Sequence, residues 1–224
     1  MGNPNSPTAW HPLVPGRGAF FSVGMSFQSL SLPGAELLFA PAFLPADEAT
    51  ALLAHLTAAA AWEQRTIRLF GKAFPQPRLT AWYGDPAARY TYSGLTWEPR
   101  PWLLALAELR QRLEAATHTR YNSVLLNLYR DGRDSMGWHA DDEPELGLAP
   151  AIASLSLGAV RRFRLRPRAG LAHSPFGIDL PHGSLLLMRG PTQQHWQHAL
   201  PKTARPVGPR LNLTFRWVGP AAPG

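Results

Sequence analysis

Residues Asn127–Glu143 read N-L-Y-R-D-G-R-D-S-M-G-W-H-A-D-D-E, and the rest of the chain is best read outward from them. The stretch starts inside an alternating run, S-V-L-L-N-L-Y-R over 123–130. There Asn127 and Tyr129 share one face, opposite Val124, Leu126 and Leu128, as side chains on a strand repeat every two residues. The stretch ends in His139-Ala-Asp141, an imidazole and a carboxylate on one side of an extended backbone. Alone, such a pair is most often a surface ion pair. A metal centre needs a third donor from elsewhere, and His173, His182, His195 and His198 are the candidates. On a strand expected at 193–199, His195 and His198 face opposite sides, so they cannot both be ligands. Two imidazoles and one carboxylate suit a non-haem Fe(II) with three positions left open.

The last strand, R-L-N-L-T-F-R-W over 210–217, carries a second signal. Leu211, Leu213, Phe215 and Trp217 share one parity and are expected in the core. Arg210, Asn212, Thr214 and Arg216 share the other and either meet solvent or line a cavity. In a cavity, two guanidinium groups and a hydroxyl suit a dicarboxylate, which arginine grips in a bidentate fork.

Strands are expected at 122–130, 151–157, 160–167, 184–189, 193–199 and 210–218, most of them separated by Gly or Pro. Upstream, helical spacing of Ala49, Leu52, Leu53 and Leu56 predicts a helix over Asp47–Ala60. Leu103, Leu106, Leu109 and Leu113 predict a second, from Pro99–Pro101 to about Ala116. Between them, residues 62–78 read as a hairpin with Phe70-Gly71-Lys72 at its tip. The fold class is therefore α+β, with N-terminal helices packed outside a jelly-roll β core. We expect a flexible tail over 1–30 and one domain over 31–220. Within it, helices and a recognition region would occupy 31–120 and the jelly roll 121–218. Met25, at the end of a Pro- and Gly-rich segment, is a candidate translation start.

The chain has 224 residues, 45% of them hydrophobic, so it can bury a sizeable core. It has no cysteine, which excludes disulfides, thiolate metal sites and a cysteine nucleophile. No run of about 18 apolar residues exists, so no membrane-spanning helix is expected. No secretory leader is recognisable, and a cytoplasmic or nucleoid-associated location follows as an expectation. Net charge is +7, almost all from arginine, since Lys72 and Lys202 are the only lysines. That excess fits an anionic partner such as nucleic acid and equally a compositional bias toward arginine.

The chain resembles the AlkB family of Fe(II)/2-oxoglutarate dioxygenases, and within it the animal-type DNA dealkylases that prefer duplex substrate. The resemblance runs from about Phe70 to Trp217. It rests on F-G-K, P-R, Y-G-D, Y-T-Y-S-G-L, P-x-P-W, N-x-Y-x-D-G, H-x-D-D-E, H-G-S-L-L-x-M, T-x-x-H-W-x-H-x-L-P and P-R-x-N-L-T-F-R, in that order. It implies that His139, Asp141 and His198 are the catalytic iron ligands. It also implies that Asn127, Tyr129, Arg210, Thr214 and Arg216 bind 2-oxoglutarate, with O2 as the second cosubstrate. Tyr92 falls where the family stacks an aromatic on the damaged base, a position that is Phe in duplex-type members. Tyr90 falls at a second aromatic contact, and Asp142 and Glu143 where the exocyclic amine is bound. Phe70 matches an intercalating residue, and Arg78 a phosphate or orphan-base contact. The implied activity is oxidative dealkylation of 1-methyladenine and 3-methylcytosine in DNA by a monomeric enzyme acting on single strands or duplex. Alternatives are a dioxygenase acting on RNA or protein, and a non-catalytic nucleic-acid-binding module. The run R-R-F-R-L-R-P-R at 161–168 could follow a nucleic-acid backbone or simply face solvent.

Overall fold

Period-two alternation of apolar and polar residues marks several strands of this chain, seen in a computed structural model that describes residues 26–69, 72–92 and 95–219. Strands β1 (Gln28–Leu32) and β2 (Ala35–Ala40) form a hairpin before helix α1 (Ala46–Ala59). Two further hairpins follow, β3 (Thr66–Leu69) with β4 (Lys72–Pro75), and, after β5 (Leu79–Gly84), β6 (Tyr90–Tyr92) with β7 (Leu95–Trp97). Helix α2 spans Leu104–Thr117. The remaining strands are β8 (Ser123–Tyr129), β9 (Met136–His139), β10 (Ile152–Gly158), β11 (Arg161–Pro167), β12 (Phe176–Leu180), β13 (Ser184–Arg189), β14 (Trp196–Leu200) and β15 (Arg210–Arg216). A single helical turn, α3 (Thr192–His195), precedes β14.

The strands form two main sheets. The larger has the order β1-β2-β13-β10-β15-β8-β5 and the smaller β12-β11-β14-β9, with every strand pair antiparallel. From β8 to β15 the chain passes repeatedly between the two sheets, which makes the core a double-stranded β-helix, or jelly roll. Helices α1 and α2 cover the outer face of the larger sheet. Leu52, Leu56, Leu106, Leu109 and Leu113 meet Val124, Leu126, Leu155, Leu211, Leu213 and Phe215 in one buried cluster. Burying each such side chain stabilises the fold by roughly 1.5–3 kcal/mol. A second cluster lies between the sheets, where Ile152, Leu186 and Met188 meet Phe163, Leu165 and Trp196. Beyond this cluster the space between the sheets holds the site. No helix among the described residues is long and apolar enough to cross a membrane.

Four sequence expectations need correction. The tail expected to run to residue 30 gives way to β1 at Gln28, because Gln28 and Ser29 pair with Phe39 and Leu38. Helix α2 starts at Leu104, since Arg100 is taken up in backbone pairing with Trp82 and Gly84, and a residue before proline, as Arg100 is, disfavours helix. The strand expected over 193–199 begins only at Trp196. Before it, the Gln194 and His195 N–H groups both turn back to the Pro191 carbonyl. Trp217 lies past the end of β15 and is 52% exposed, so the apolar row of that strand ends at Phe215.

Candidate active site

His139 ends β9, His198 lies on β14, and the register sets them opposite each other. Their ring centroids are 4.1 Å apart in an edge-on arrangement. Asp141, two residues beyond β9, brings Oδ1 to 3.9 Å from His139 Nε2. One donor atom from each of the three residues lies within 4.8 Å of the others. Phe163 of β11 stacks against His198 with centroids 5.3 Å apart, which fixes the ring from the apolar side.

The protonation states suit metal ligation. His139 Nδ1 sits 2.9 Å from the Gly137 carbonyl oxygen. That oxygen can only accept, so Nδ1 donates to it and Nε2 is the ring nitrogen left to face the cluster. Burial, helped by the neighbouring His139 and opposed by Asp141, brings His198 down to about 3, so its imidazole is neutral at neutral pH. Burial pushes the Asp141 carboxyl up, but Arg216, His198 and His139 outweigh it and hold the group well below the usual carboxylate range. Two imidazoles and a carboxylate, gathered this closely, fit the donor set of a non-haem Fe(II).

The larger sheet supplies the opposite wall. Arg210, Asn212, Thr214 and Arg216 of β15 line a cavity of about 840 Å³ together with the three clustered residues and with Asn127 and Tyr129 of β8. Tyr129 pairs with Arg210, and Asn127 with Asn212, across the strands. Arg210 Nη2 donates to Ser156 Oγ at 2.9 Å. Its Nε is buried with no hydrogen-bond partner among the described residues. Burial lowers Arg210 to about 10, against the opposing pull of Tyr129. A buried guanidinium with an unused donor is set up for an anionic ligand, since such a donor otherwise bears its full desolvation cost. Arg216 donates to Asp141 Oδ2 from Nη2 at 2.9 Å and from Nε at 3.3 Å. The cavity therefore carries the guanidinium groups of Arg210 and Arg216 beside the His–Asp–His cluster, which suits a dicarboxylate next to a metal.

Other expected site residues distribute unevenly. Glu143 lines the cavity. Asp142 does not; it is exposed and paired with Arg168, on the side away from the buried Asp141 that precedes it. Arg78 lines the cavity too. It is 8% exposed, and its Nε donates to Asn127 Oδ1 at 2.9 Å, so it belongs to the cavity wall and not to an outer surface. Burial lowers its pKa, with Tyr129 and Asp134 opposing. Phe70 lies outside the described residues, as do the side chains of Tyr90 and Tyr92; the backbone of the latter two forms β6. Of the remaining histidines, His182 accepts the Gly158 N–H, and His195 bonds the Gly34 carbonyl. His173 stacks on Trp196.

The basic run on β11 divides by parity. Arg161 is buried and donates to the carbonyls of Asp131, Asp134 and Pro201, tying the loop before β9 to the loop after β14. Arg162, Arg164 and Arg166 form an exposed row on the outer face of the smaller sheet, where Arg166 lies over the Trp138 ring. Sequence reasoning did not single out Ser154, Ser156 or Gln193. Ser154 accepts from Asn212 Nδ2 at 2.8 Å, and Gln193 accepts the Asp141 N–H at 3.0 Å. The serines did leave a signal, since I-A-S-L-S-L alternates with period two. Gln193 left none.

The comparisons agree with this geometry. Residues 36–216 match the model of the 2OG-Fe(II) oxygenase superfamily. The chain is 42% identical over 217 residues to the Mus musculus alpha-ketoglutarate-dependent dioxygenase alkB homolog 3, covering 93% of this chain and 74% of that one. It is 44% identical over 160 residues to the Bos taurus DNA oxidative demethylase ALKBH2, covering 69% of this chain and 58% of that one. The solved structure of OsALKBH1 shares the fold, with a TM-score of 0.61 at 16% identity over 85% of this chain and 99% of that chain.

Proposed function

The chain belongs to the 2OG-Fe(II) oxygenase superfamily, and on that premise we propose that it oxidatively dealkylates N-alkylated bases, 1-methyladenine and 3-methylcytosine, in DNA. The family requires Fe(II), 2-oxoglutarate and O2. In our reading His139, Asp141 and His198 hold the iron. Arg210, Arg216, Thr214, Asn127 and Tyr129 hold the cosubstrate. The observation that carries this reading is the cavity that joins the His–Asp–His cluster to the Arg210–Arg216 row. The DNA assignment draws on the relatives named as alkB homolog 3 and DNA oxidative demethylase.

When bound, the iron supplies the oxidising chemistry that couples decarboxylation of 2-oxoglutarate, giving succinate and CO2, to insertion of one oxygen atom into a C–H bond of the N-alkyl group. The protein's own residues hold, orient and shield. Arg210, on a buried strand, aims a charge-assisted donor into the cavity, and Ser156 limits its freedom. Arg216 bridges the cosubstrate wall and Asp141. Phe163 and Leu200 keep the ligand side apolar, which strengthens every charge interaction within. Glu143 is the one acidic residue of the H-x-D-D-E block beyond Asp141 that faces the cavity. It would favour the positive charge of a base methylated at a pairing position. The N-hydroxymethyl product then loses formaldehyde as the ring nitrogen recovers its pairing form. Extruding such a base is comparatively easy, because it is already unpaired.

The test is a repair assay. The protein is incubated with Fe(II), ascorbate, 2-oxoglutarate and oligonucleotides bearing 3-methylcytosine or 1-methyladenine, in single strands and duplex. Mass spectrometry should show loss of one methyl group, dependent on 2-oxoglutarate. No loss on DNA, with succinate still formed, would move the substrate to RNA or protein.

A further inference from the structure

Asp141 is the only clustered ligand outside a strand, since β9 ends at His139. Ladder pairing therefore does not fix its backbone. Its N–H instead donates to Gln193 Oε1 at 3.0 Å, and both residues are buried. Gln193 lies 1% exposed on α3, with its Nε2 turned to Met188 Sδ at 3.7 Å. The N–H of Asp141 needs an acceptor, which selects the amide orientation with Oε1 facing it.

Gln193 is itself held from several sides. Thr192 Oγ1 accepts the Glu36 N–H at 2.9 Å and donates to the Arg189 carbonyl at 2.6 Å. His195 Nδ1 donates to the Gly34 carbonyl and Trp196 Nε1 to the Pro33 carbonyl, both at 2.9 Å. Gly34 is required there: its φ is +66°, and a Cβ would stand 2.4 Å from His195 Nδ1. The turn α3 is thus braced on the β1–β2 hairpin, and the same turn leads directly into β14, which carries His198.

We propose that Gln193 is a positioning residue for the metal centre. Its amide oxygen fixes the backbone at Asp141, and with it the aim of the carboxylate toward His139 and His198. The inference rests on the reading that these three residues bind metal, and it adds the element that sets the third ligand's direction. Partners that orient ligands typically govern metal affinity by about 10- to 100-fold.

The experiment measures Mn(II) binding to the full chain by titration calorimetry, alongside thermal unfolding, for the parent, Gln193→Met and Gln193→Glu. Met keeps the length and removes the acceptor; Glu keeps an acceptor of the same reach. We expect Gln193→Met to bind Mn(II) about 10- to 100-fold more weakly and Gln193→Glu to stay within about threefold of the parent. Parent-like affinity in Gln193→Met overturns the proposal, and so does equal weakness in both variants, which would signify packing alone. If Gln193→Met does not fold, amide exchange at Asp141 in the parent decides. Protection supports the proposal, and exchange at a free-amide rate overturns it. Asp141→Ala separates the two layers. If it binds Mn(II) as tightly as the parent, the metal-site reading itself falls. If it loses binding while Gln193→Met does not, only the role of Gln193 falls.

Discussion

Arg216, on the larger sheet, and Asp141, beside the smaller one, meet across the cavity at 2.9 Å. The guanidinium therefore serves both walls, and its flat fork matters more than its charge. Replacing it by lysine keeps the charge and removes the second donor. We expect Arg216→Lys to raise KM for 2-oxoglutarate about 30-fold, for the loss of roughly 2 kcal/mol of charge-assisted hydrogen bonding. Succinate formation measured against 2-oxoglutarate concentration tests this; an unchanged KM would remove Arg216 from cosubstrate binding.

Ser156 reaches Arg210 from the neighbouring strand, where it pairs with Asn212. Ser156→Ala leaves Arg210 in place with one donor fewer engaged. We expect KM for 2-oxoglutarate to rise about fivefold, matching roughly 1 kcal/mol of net hydrogen-bond energy, while kcat changes little. A fall in kcat at constant KM would contradict a positioning role.

The loop before β9 offers a pH-dependent test. Burial raises the Asp134 carboxyl, but the Arg130 side chain and backbone N–H outweigh it, leaving the pKa below the ordinary 3.8. A carboxyl lowered on folding contributes stability fully above its unfolded pKa, and the contribution is lost as pH falls through the folded value. Asp134→Asn should therefore be less stable than the parent at pH 7, by on the order of 1–3 kcal/mol. The difference should shrink as pH drops below about 3.8. Urea unfolding of both proteins from pH 7 to pH 3 measures it; a constant gap would assign the loss to packing.

Much of this site could be read from the sequence because alternation on a strand is a local property. The parity of Arg210, Asn212, Thr214 and Arg216 shows in the linear order, and the structure turns that whole row into the cavity. His139 and Asp141 share a parity in the same way, and the ten motifs of the resemblance single them out from an ordinary ion pair. What escaped depends on distant pairing. That Arg78 donates to Asn127, 49 residues away, has no local trace in the sequence. Gln193 acts on Asp141 across 52 residues from a four-residue turn, too short to leave a periodic trace. Trp217 follows the strand alternation in sequence, but the strand ends one residue earlier.

The hairpins β3–β4 and β6–β7 form two separate two-stranded sheets, hydrogen-bonded in neither main ladder. Insertions, deletions or new side chains there leave the register that sets His139 opposite His198 and Tyr129 opposite Arg210 untouched. The oxidising machinery and the surface around it are thus free to evolve on separate schedules. A hairpin exchanged from a relative could redirect the enzyme to a different target without redesigning the barrel that does the oxidation.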